Sequence, residues 1–361
     1  MSPHRIVGGV MGLLLMLVAM PGVAIGLPPD PLPPRPGWVA PPPPPVSAPS
    51  WVLFDDTTDW LIASRGADDQ RPPASTTKMM TALVAADRAS FDDLVTVSAT
   101  AADAGEAEIG LVVGEVLTMG DLLSAMLVRS ANDAAVAVAE HIGGSIEGFA
   151  DLMNDKAVEM GLTNTHFTNP HGLDEPGHYS SAADLLEMAR AILANPQLAA
   201  IVRSRSIHFP AAPDETLRGG KATNTLLDTY DGAIGVKTGF TFRASLVLAG
   251  AAERNGRVLL AVVMGSEGVG RHFADAGHLL DYGFETAAIT VSSSDVIAAE
   301  RLAAAARVEA MTWLGVSGLL VGQDLVPSPV EITNRGLGDP PGWREAFSWG
   351  VRYWAWLTGD R

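Results

Sequence analysis

The sequence contains no cysteine, and aromatic residues make up only 6% of it. The first absence rules out a disulfide framework, a Cys-ligated zinc site and a thiolate nucleophile, and it leaves export open for a chain of this length. Basic residues are also scarce. Against 41 Asp and Glu stand 24 Lys and Arg, a formal net charge of −17, so there is no basic stripe of the kind that holds a nucleic acid. No nucleic-acid partner is expected. Acidity by itself names no substrate, because it acts mainly on solubility and steering. What is present is a 361-residue chain, 47% hydrophobic, long enough for one large catalytic domain with appendages.

The first residues indicate the compartment. His4 and Arg5 precede an apolar run from Val10 to Met20, then Pro21 and Gly22, then small residues at Ala24 and Gly26. A short positive region, an apolar core and a small-residue exit read as a secretory signal peptide over residues 1–26. The run is roughly half the ~20 residues a membrane span needs. Residues 27–50 are proline-rich, including Pro41 to Pro45, and such a stretch favours an extended polyproline spacer outside the folded body. Export to the cell wall or periplasmic space follows as the expected location.

Ordered structure is expected from Trp51. Runs at 51–54 and 60–63, separated by polar residues, read as a hairpin. A helix is expected over 74–86 after Pro72 and Pro73, and another over 119–141, apolar on most faces and therefore buried. Ser181 caps a further helix over 182–193, which Pro196 ends. Strands at 244–251 and 258–265 flank the turn Arg254-Asn255-Gly256, and 272–284 reads as helical. Strands at both sequence ends with helices between them suggest a mixed domain whose sheet gathers distant segments.

Three short motifs stand in order. Ser75-Thr76-Thr77-Lys78 opens a helix, and the three-residue spacing puts Ser75 and Lys78 on one face. The serine sits where free N–H groups and the helix dipole favour developing negative charge. A neutral lysine could take the serine proton, provided burial and a second nearby cation depress its pKa. Alone, a serine-capped helix with a lysine in its first turn is commonplace. Ser130-Ala131-Asn132 interrupts an apolar run, and buried polar groups need hydrogen-bond partners. A helix-end network would satisfy them, and so would a proton relay beside a substrate-binding amide. Lys237-Thr238-Gly239 begins a strand and offers a cation, a hydroxyl and room for a substrate backbone, though the tripeptide alone means little.

The ordered trio is far more specific than its parts. With Arg71-Pro-Pro-Ala-Ser-Thr-Thr-Lys78, Asn164 to Leu173, Gly177-His-Tyr-Ser180 and Gly235 to Thr241 around it, the chain resembles the low-molecular-weight D-Ala-D-Ala carboxypeptidases of the penicillin-binding family. The resemblance covers roughly residues 50 to 290. It implies an α/β (α+β) fold shared with serine β-lactamases: a mainly antiparallel sheet flanked by helices, with an all-helical subdomain. It also implies roles: Ser75 as nucleophile, Lys78 as general base, Ser130 in proton relay and Asn132 in substrate positioning. Lys237 and Thr238 would bind the terminal carboxylate, Gly239 would let the substrate lie along the strand, and the N–H groups of Ser75 and Phe240 would form an oxyanion hole. Substrates would be peptidoglycan stem peptides ending in D-Ala-D-Ala, with β-lactams as inhibitors. No metal or organic cofactor is implied.

Several other residues are tempting. His166 and His171 lack the spacing of a helical ligand pair and read as loop packing. Asp174 and Glu175 read as surface turn residues. Relatives usually carry an arginine directly before the phenylalanine matching Phe273, where this chain has His272 preceded by Arg271. Beyond residue 290 the resemblance fades. Val296 to Arg307 is alanine-rich, Met311 to Gly322 is apolar but too short to span a bilayer, and aromatic residues interleave with Arg344 and Arg352 between Trp343 and Leu357. That last composition suits an interfacial helix touching a membrane surface or one packed on the catalytic domain.

Overall fold

The computed structural model describes residues 41–286. The expected signal peptide, most of the proline-rich stretch and the tail lie outside the described residues. Strands β1 (Ser50–Asp55) and β2 (Trp60–Arg65) form the first hairpin. A 3-10 turn at Ala74–Thr77 leads into α1 (Lys78–Arg88). Short strands β3 (Leu94–Thr96) and β4 (Val116–Thr118) bracket the single turn α2 (Ala99–Ala102). Then come α3 (Met119–Val128), α4 (Asn132–Gly143), α5 (Ile146–Glu159), α6 (Ala182–Ala194) and α7 (Pro196–Val202). A small hairpin, β5 (Ser206–Phe209) with β6 (Arg218–Lys221), and α8 (Leu226–Thr229) precede β7 (Ala233–Thr241), β8 (Ser245–Arg254) and β9 (Arg257–Ser266). Residues 271–286 form a last helix, α9.

The main sheet has the order β2-β1-β9-β8-β7, with every pair antiparallel. The first strand thus lies beside the last, with Leu53 opposite Ala261. Period-two alternation divides the sheet's side chains between two cores. Val52, Phe54, Val247, Ala249, Leu260 and Val262 face the helical subdomain with Met79, Leu122, Met126 and Leu185. Trp51, Leu53, Leu248, Leu259 and Val263 face Ala276, Leu279 and Leu280 of α9. Each buried large apolar side chain in these layers contributes about 1.5–3 kcal/mol relative to exposure. The consequence for function is that β7 is left as an edge strand, with backbone groups on one side free of sheet partners.

Three readings of the sequence need correction. The helix expected over 119–141 is two helices, α3 and α4, broken at Arg129-Ser130-Ala131, with Ser130 at φ +66°. Pro196 does not merely end α6; it starts α7, with Asn195 Oδ1 accepting from the N–H groups of Gln197 and Leu198. The end of the proline-rich stretch belongs to the body. Ser47 donates to Asp275 through N–H (3.1 Å) and Oγ (2.6 Å), and Ala48 N–H donates to the same carboxylate at 3.2 Å. Composition pointed to a spacer because it carries no record of an acceptor more than two hundred residues away.

Candidate active site

The nucleophile candidate sits in a turn held by its neighbours. Thr76 donates to the Pro73 carbonyl through both N–H (3.3 Å) and Oγ1 (2.6 Å), and Ala74 has φ +49°. In a 3-10 turn, residues i and i+3 eclipse. Ser75 and Lys78 therefore stack, and Lys78 Nζ lies 2.9 Å from Ser75 Oγ. Lys78 is fully buried, and its Nζ also reaches Asn132 Oδ1 and the His171 carbonyl, each at 2.7 Å. A neutral amine has two N–H donors, one for each of those acceptors, and its lone pair is left for the serine hydroxyl. Burial, reinforced by the charge of Lys237, pushes the Lys78 pKa well below the ordinary lysine value.

The second cation is organised from the opposite wall. Lys237, also fully buried, places Nζ 3.0 Å from Ser130 Oγ and 2.9 Å from the Thr238 carbonyl. Burial lowers its pKa to about 7. The break between α3 and α4 brings Ser130 to this lysine, while Asn132, first residue of α4, turns back to Lys78. A continuous helix could not aim both residues into one cleft. Thr238 Oγ1 lies 2.9 Å from Thr223 Oγ1.

Gly239 is where β7 touches the 3-10 turn. A Cβ there would fall 3.0 Å from both Ala74 Cβ and Ser75 N, so only glycine lets the edge strand approach the nucleophile so closely. The first N–H groups of a helical turn lack intrahelical acceptors, and that of Ser75 lies at this contact. Phe240 follows on β7 and is 56% exposed, and Phe242 packs edge-on against it at 5.7 Å between ring centroids.

The loop from Asn164 to Ser180 closes the floor. At Gly172, φ is +91° and a Cβ would meet the Ala74 carbonyl oxygen at 1.9 Å. Thr81 Oγ1 donates to the Pro170 carbonyl at 2.6 Å, and the His178 ring bridges Thr77 Oγ1 (2.8 Å) and the Thr168 N–H (3.1 Å). Burial lowers the pKa of His178 to about 4 and, with the charge of Lys78, that of His171 to about 3, so both rings are neutral. His171 contributes its carbonyl, not a metal-binding ring. Asp174 and Glu175 are exposed, as expected, but lie in the loop just before the turn at 176–177. Asp174 accepts from Thr241 Oγ1 at 2.9 Å, and Glu175 accepts from Thr168 Oγ1 at the same distance. His272 is buried, while Arg271 lies 3.6 Å from Asp275.

The structure thus gathers Ser75, Lys78, Ser130, Asn132, Lys237, Thr238 and Gly239 into one cleft, with Phe240 at its rim. Sequence reasoning missed Asp133, whose carboxylate accepts from the N–H groups of Ile109, Gly110 and Leu111. It also missed Thr223. The only sequence signal for Asp133 was an acidic residue in the first turn of a buried helix.

A buried lysine touching a serine, with a second serine and lysine opposite, is an arrangement in which an amine, in place of imidazole, could serve as the base of a serine enzyme. The comparisons make this specific. The profile of the family described as D-alanyl-D-alanine carboxypeptidase matches residues 38–268. The chain is 38% identical over 242 residues to D-alanyl-D-alanine carboxypeptidase DacB2 of Mycobacterium tuberculosis, covering 66% of this chain and 82% of the relative. It is 36% identical over 242 residues to DacF of Bacillus subtilis, covering 66% of this chain and 62% of that relative. Among solved structures, a D-alanyl-D-alanine carboxypeptidase from Mycobacterium tuberculosis matches with TM-score 0.65 at 34% identity, covering 68% of this chain and 94% of that one. A Streptomyces DD-transpeptidase matches with TM-score 0.64 at 30% identity, covering 68% and 99%. The chain belongs to the D-alanyl-D-alanine carboxypeptidase family, and its fold is the α/β penicillin-binding fold.

Proposed function

We propose that this chain is a serine-type D-Ala-D-Ala carboxypeptidase that removes the terminal D-alanine from peptidoglycan stem peptides and is acylated by β-lactams. The observation that carries this reading is the contact of the buried Lys78 amine with Ser75 Oγ at 2.9 Å. As Ser75 Oγ attacks the penultimate D-alanine carbonyl, its proton passes to the Lys78 lone pair. The carbonyl electron pair moves onto oxygen, where the N–H groups of Ser75 and Phe240 receive it; one such donor is worth about 2.7–4 kcal/mol. Collapse breaks the amide bond, and the departing amine takes a proton from Ser130 Oγ; the proton that Lys78 took from Ser75 replaces it, so Lys78 is neutral again and Lys237 keeps its charge. Lys237 and Thr238 hold the terminal carboxylate, and Asn132 positions the acyl side. Water then adds to the ester, gives its proton to Lys78 and returns Ser75 to the hydroxyl form. A β-lactam enters the same first step, but its leaving nitrogen stays tethered in the adduct.

The test is D-alanine release from a peptide ending in D-Ala-D-Ala, with Ser75→Ala as control. Release by wild type alone supports the reading. Rapid turnover of penicillin without D-alanine release makes the enzyme a β-lactamase instead.

Export and surface attachment belong to the same proposal. The run from His4 to Gly26 has the pattern of a secretory signal, and the aromatic and arginine residues from Trp343 to Leu357 suit contact with a membrane surface. Deleting residues 296–361 should preserve D-alanine release while reducing co-sedimentation with lipid vesicles. Aggregation of the truncated chain would make the tail a packing element and refute the membrane role.

A further inference from the structure

Glu106 stands at the rim of the cleft in an unusual setting. Asn132 clamps the backbone on either side of it: Nδ2 donates to the Gly105 carbonyl at 3.1 Å, and the Asn132 N–H donates to the Ala107 carbonyl at 2.6 Å. Asp133 holds the continuation of the loop through three consecutive N–H groups, from Ile109 to Leu111. Glu106 itself is at φ +62°, a left-handed conformation that a residue with a long side chain adopts at a cost. Such strain, imposed by neighbours that belong to a functional site, points to a role for the residue it presents. The neighbouring carboxylate is already used, since Glu108 accepts from the Gly105 N–H at 2.7 Å. Glu106 is exposed and makes no hydrogen bond or ion pair among the described residues. Its charge is nonetheless felt at Lys78, where it favours the protonated form.

On the carboxypeptidase reading, the contact of Asn132 with Gly105 and Ala107 indicates which part of a substrate Glu106 would meet. With the terminal carboxylate at Lys237 and Thr238 and the scissile carbonyl at Ser75, the acyl portion runs past Asn132. The side chain of the residue preceding D-Ala-D-Ala then meets the rim carried by residues 105–107. We infer that Glu106 is a specificity-determining residue that accepts a primary ammonium on that preceding side chain. The buried Lys237 carries a positive charge into the cleft, so a further cation there is disfavoured unless a carboxylate offsets it. Glu106 is placed to do so, and it repels an anionic side chain. The inference rests on the carboxypeptidase reading.

The test compares two peptides, Nα-acetyl-lysyl-D-Ala-D-Ala and its Nε-acetylated form, by kcat/KM for D-alanine release. Wild type should prefer the free amine by about two- to fivefold, the range of an exposed ion pair. The preference should shrink at high salt. In Glu106→Gln it should vanish through a fall on the free-amine peptide alone; at a pH above the lowered Lys78 value, where Lys78 is already neutral without the change, benzylpenicillin acylation should be unchanged. A preference that survives in Glu106→Gln, or no preference in wild type, overturns the inference while leaving the carboxypeptidase reading intact. Equal loss on both peptides and in acylation makes Glu106 a structural loop residue and also overturns it. Release from neither peptide by wild type, with no penicillin adduct, refutes the underlying reading and this inference with it.

Discussion

Replacing Gly239 by alanine tests whether the approach of β7 to the nucleophile turn is what assembles the cleft. The added Cβ would lie 3.0 Å from Ala74 Cβ, 3.0 Å from Ser75 N and 3.1 Å from the Pro73 oxygen, whereas ordinary contacts begin at 3.4 Å. Two of these neighbours are backbone atoms, so no side chain can swing aside. The edge strand must move away by about half an ångström, taking the Phe240 N–H from Ser75 and Lys237 from Ser130. A misplacement of about 1 Å costs on the order of 10²-fold in rate, so a shift of half that should slow acylation about tenfold. Overpacking of this kind also costs about 1–3 kcal/mol of stability. Gly277→Ala is the control. Its Cβ would meet Tyr230 at an ordinary 3.6 Å within α9, and exchange of glycine for alanine in a helix gains about 0.5–1 kcal/mol. Acylation by a fluorescent penicillin and thermal unfolding should separate the two variants: slow and less stable for Gly239→Ala, wild-type rate and raised Tm for Gly277→Ala. A Gly239→Ala enzyme that acylates at the wild-type rate would refute the reasoning.

Lys78→Arg should lose acylation almost wholly because a guanidinium is not deprotonated in a protein, whereas Lys237→Arg should keep measurable activity; equal losses would contradict the division between base and binding cation. Because the Lys78 pKa is lowered, its neutral fraction falls as pH drops through that lowered value, so acylation should decline on the acid side. Lys237 carries its charge below about 7, so KM for the peptide should rise as pH increases through that region. A flat profile from stopped-flow acylation and steady-state release would sink both assignments. Burial raises the Asp275 pKa, but the hydrogen bonds from Ser47, Ser266 and Ala48 outweigh it and hold the carboxyl below its usual value. The carboxylate therefore adds stability above the unfolded-state pKa, and this is lost as pH falls through the folded-state value. Asp275→Asn should cost about 2–3 kcal/mol at neutral pH and open the chain before Ser50 to proteolysis, with the difference in Tm from wild type closing in acid.

The parts of this molecule legible in the sequence are those set by local chemistry. The three motifs, the hairpins at 51–63 and 245–266, and the Ser181 cap of α6 each depend on residues a few positions apart. The break at Ser130 was hidden because apolar periodicity continues through it on both sides, and its cause is a lysine 107 residues later in the chain. The docking of Ser47 and Ala48 was hidden for the same reason: Asp275 supplies the acceptor. The three-residue spacing of serine and lysine places them on one helical face, but their direct contact depends on the turn being 3-10, which propensity does not specify. Glu106 was invisible because nothing in a local acidic segment announces a positive φ; that conformation is imposed by Asn132 and Asp133.

The central claim is that Ser75 becomes covalently acylated with Lys78 as its base. Intact-mass analysis after benzylpenicillin treatment, followed by peptide mapping, tests it directly. The account expects one penicilloyl adduct on wild type, located on the peptide containing Ser75 and absent from Ser75→Ala. An adduct of equal yield on Ser75→Ala would contradict it.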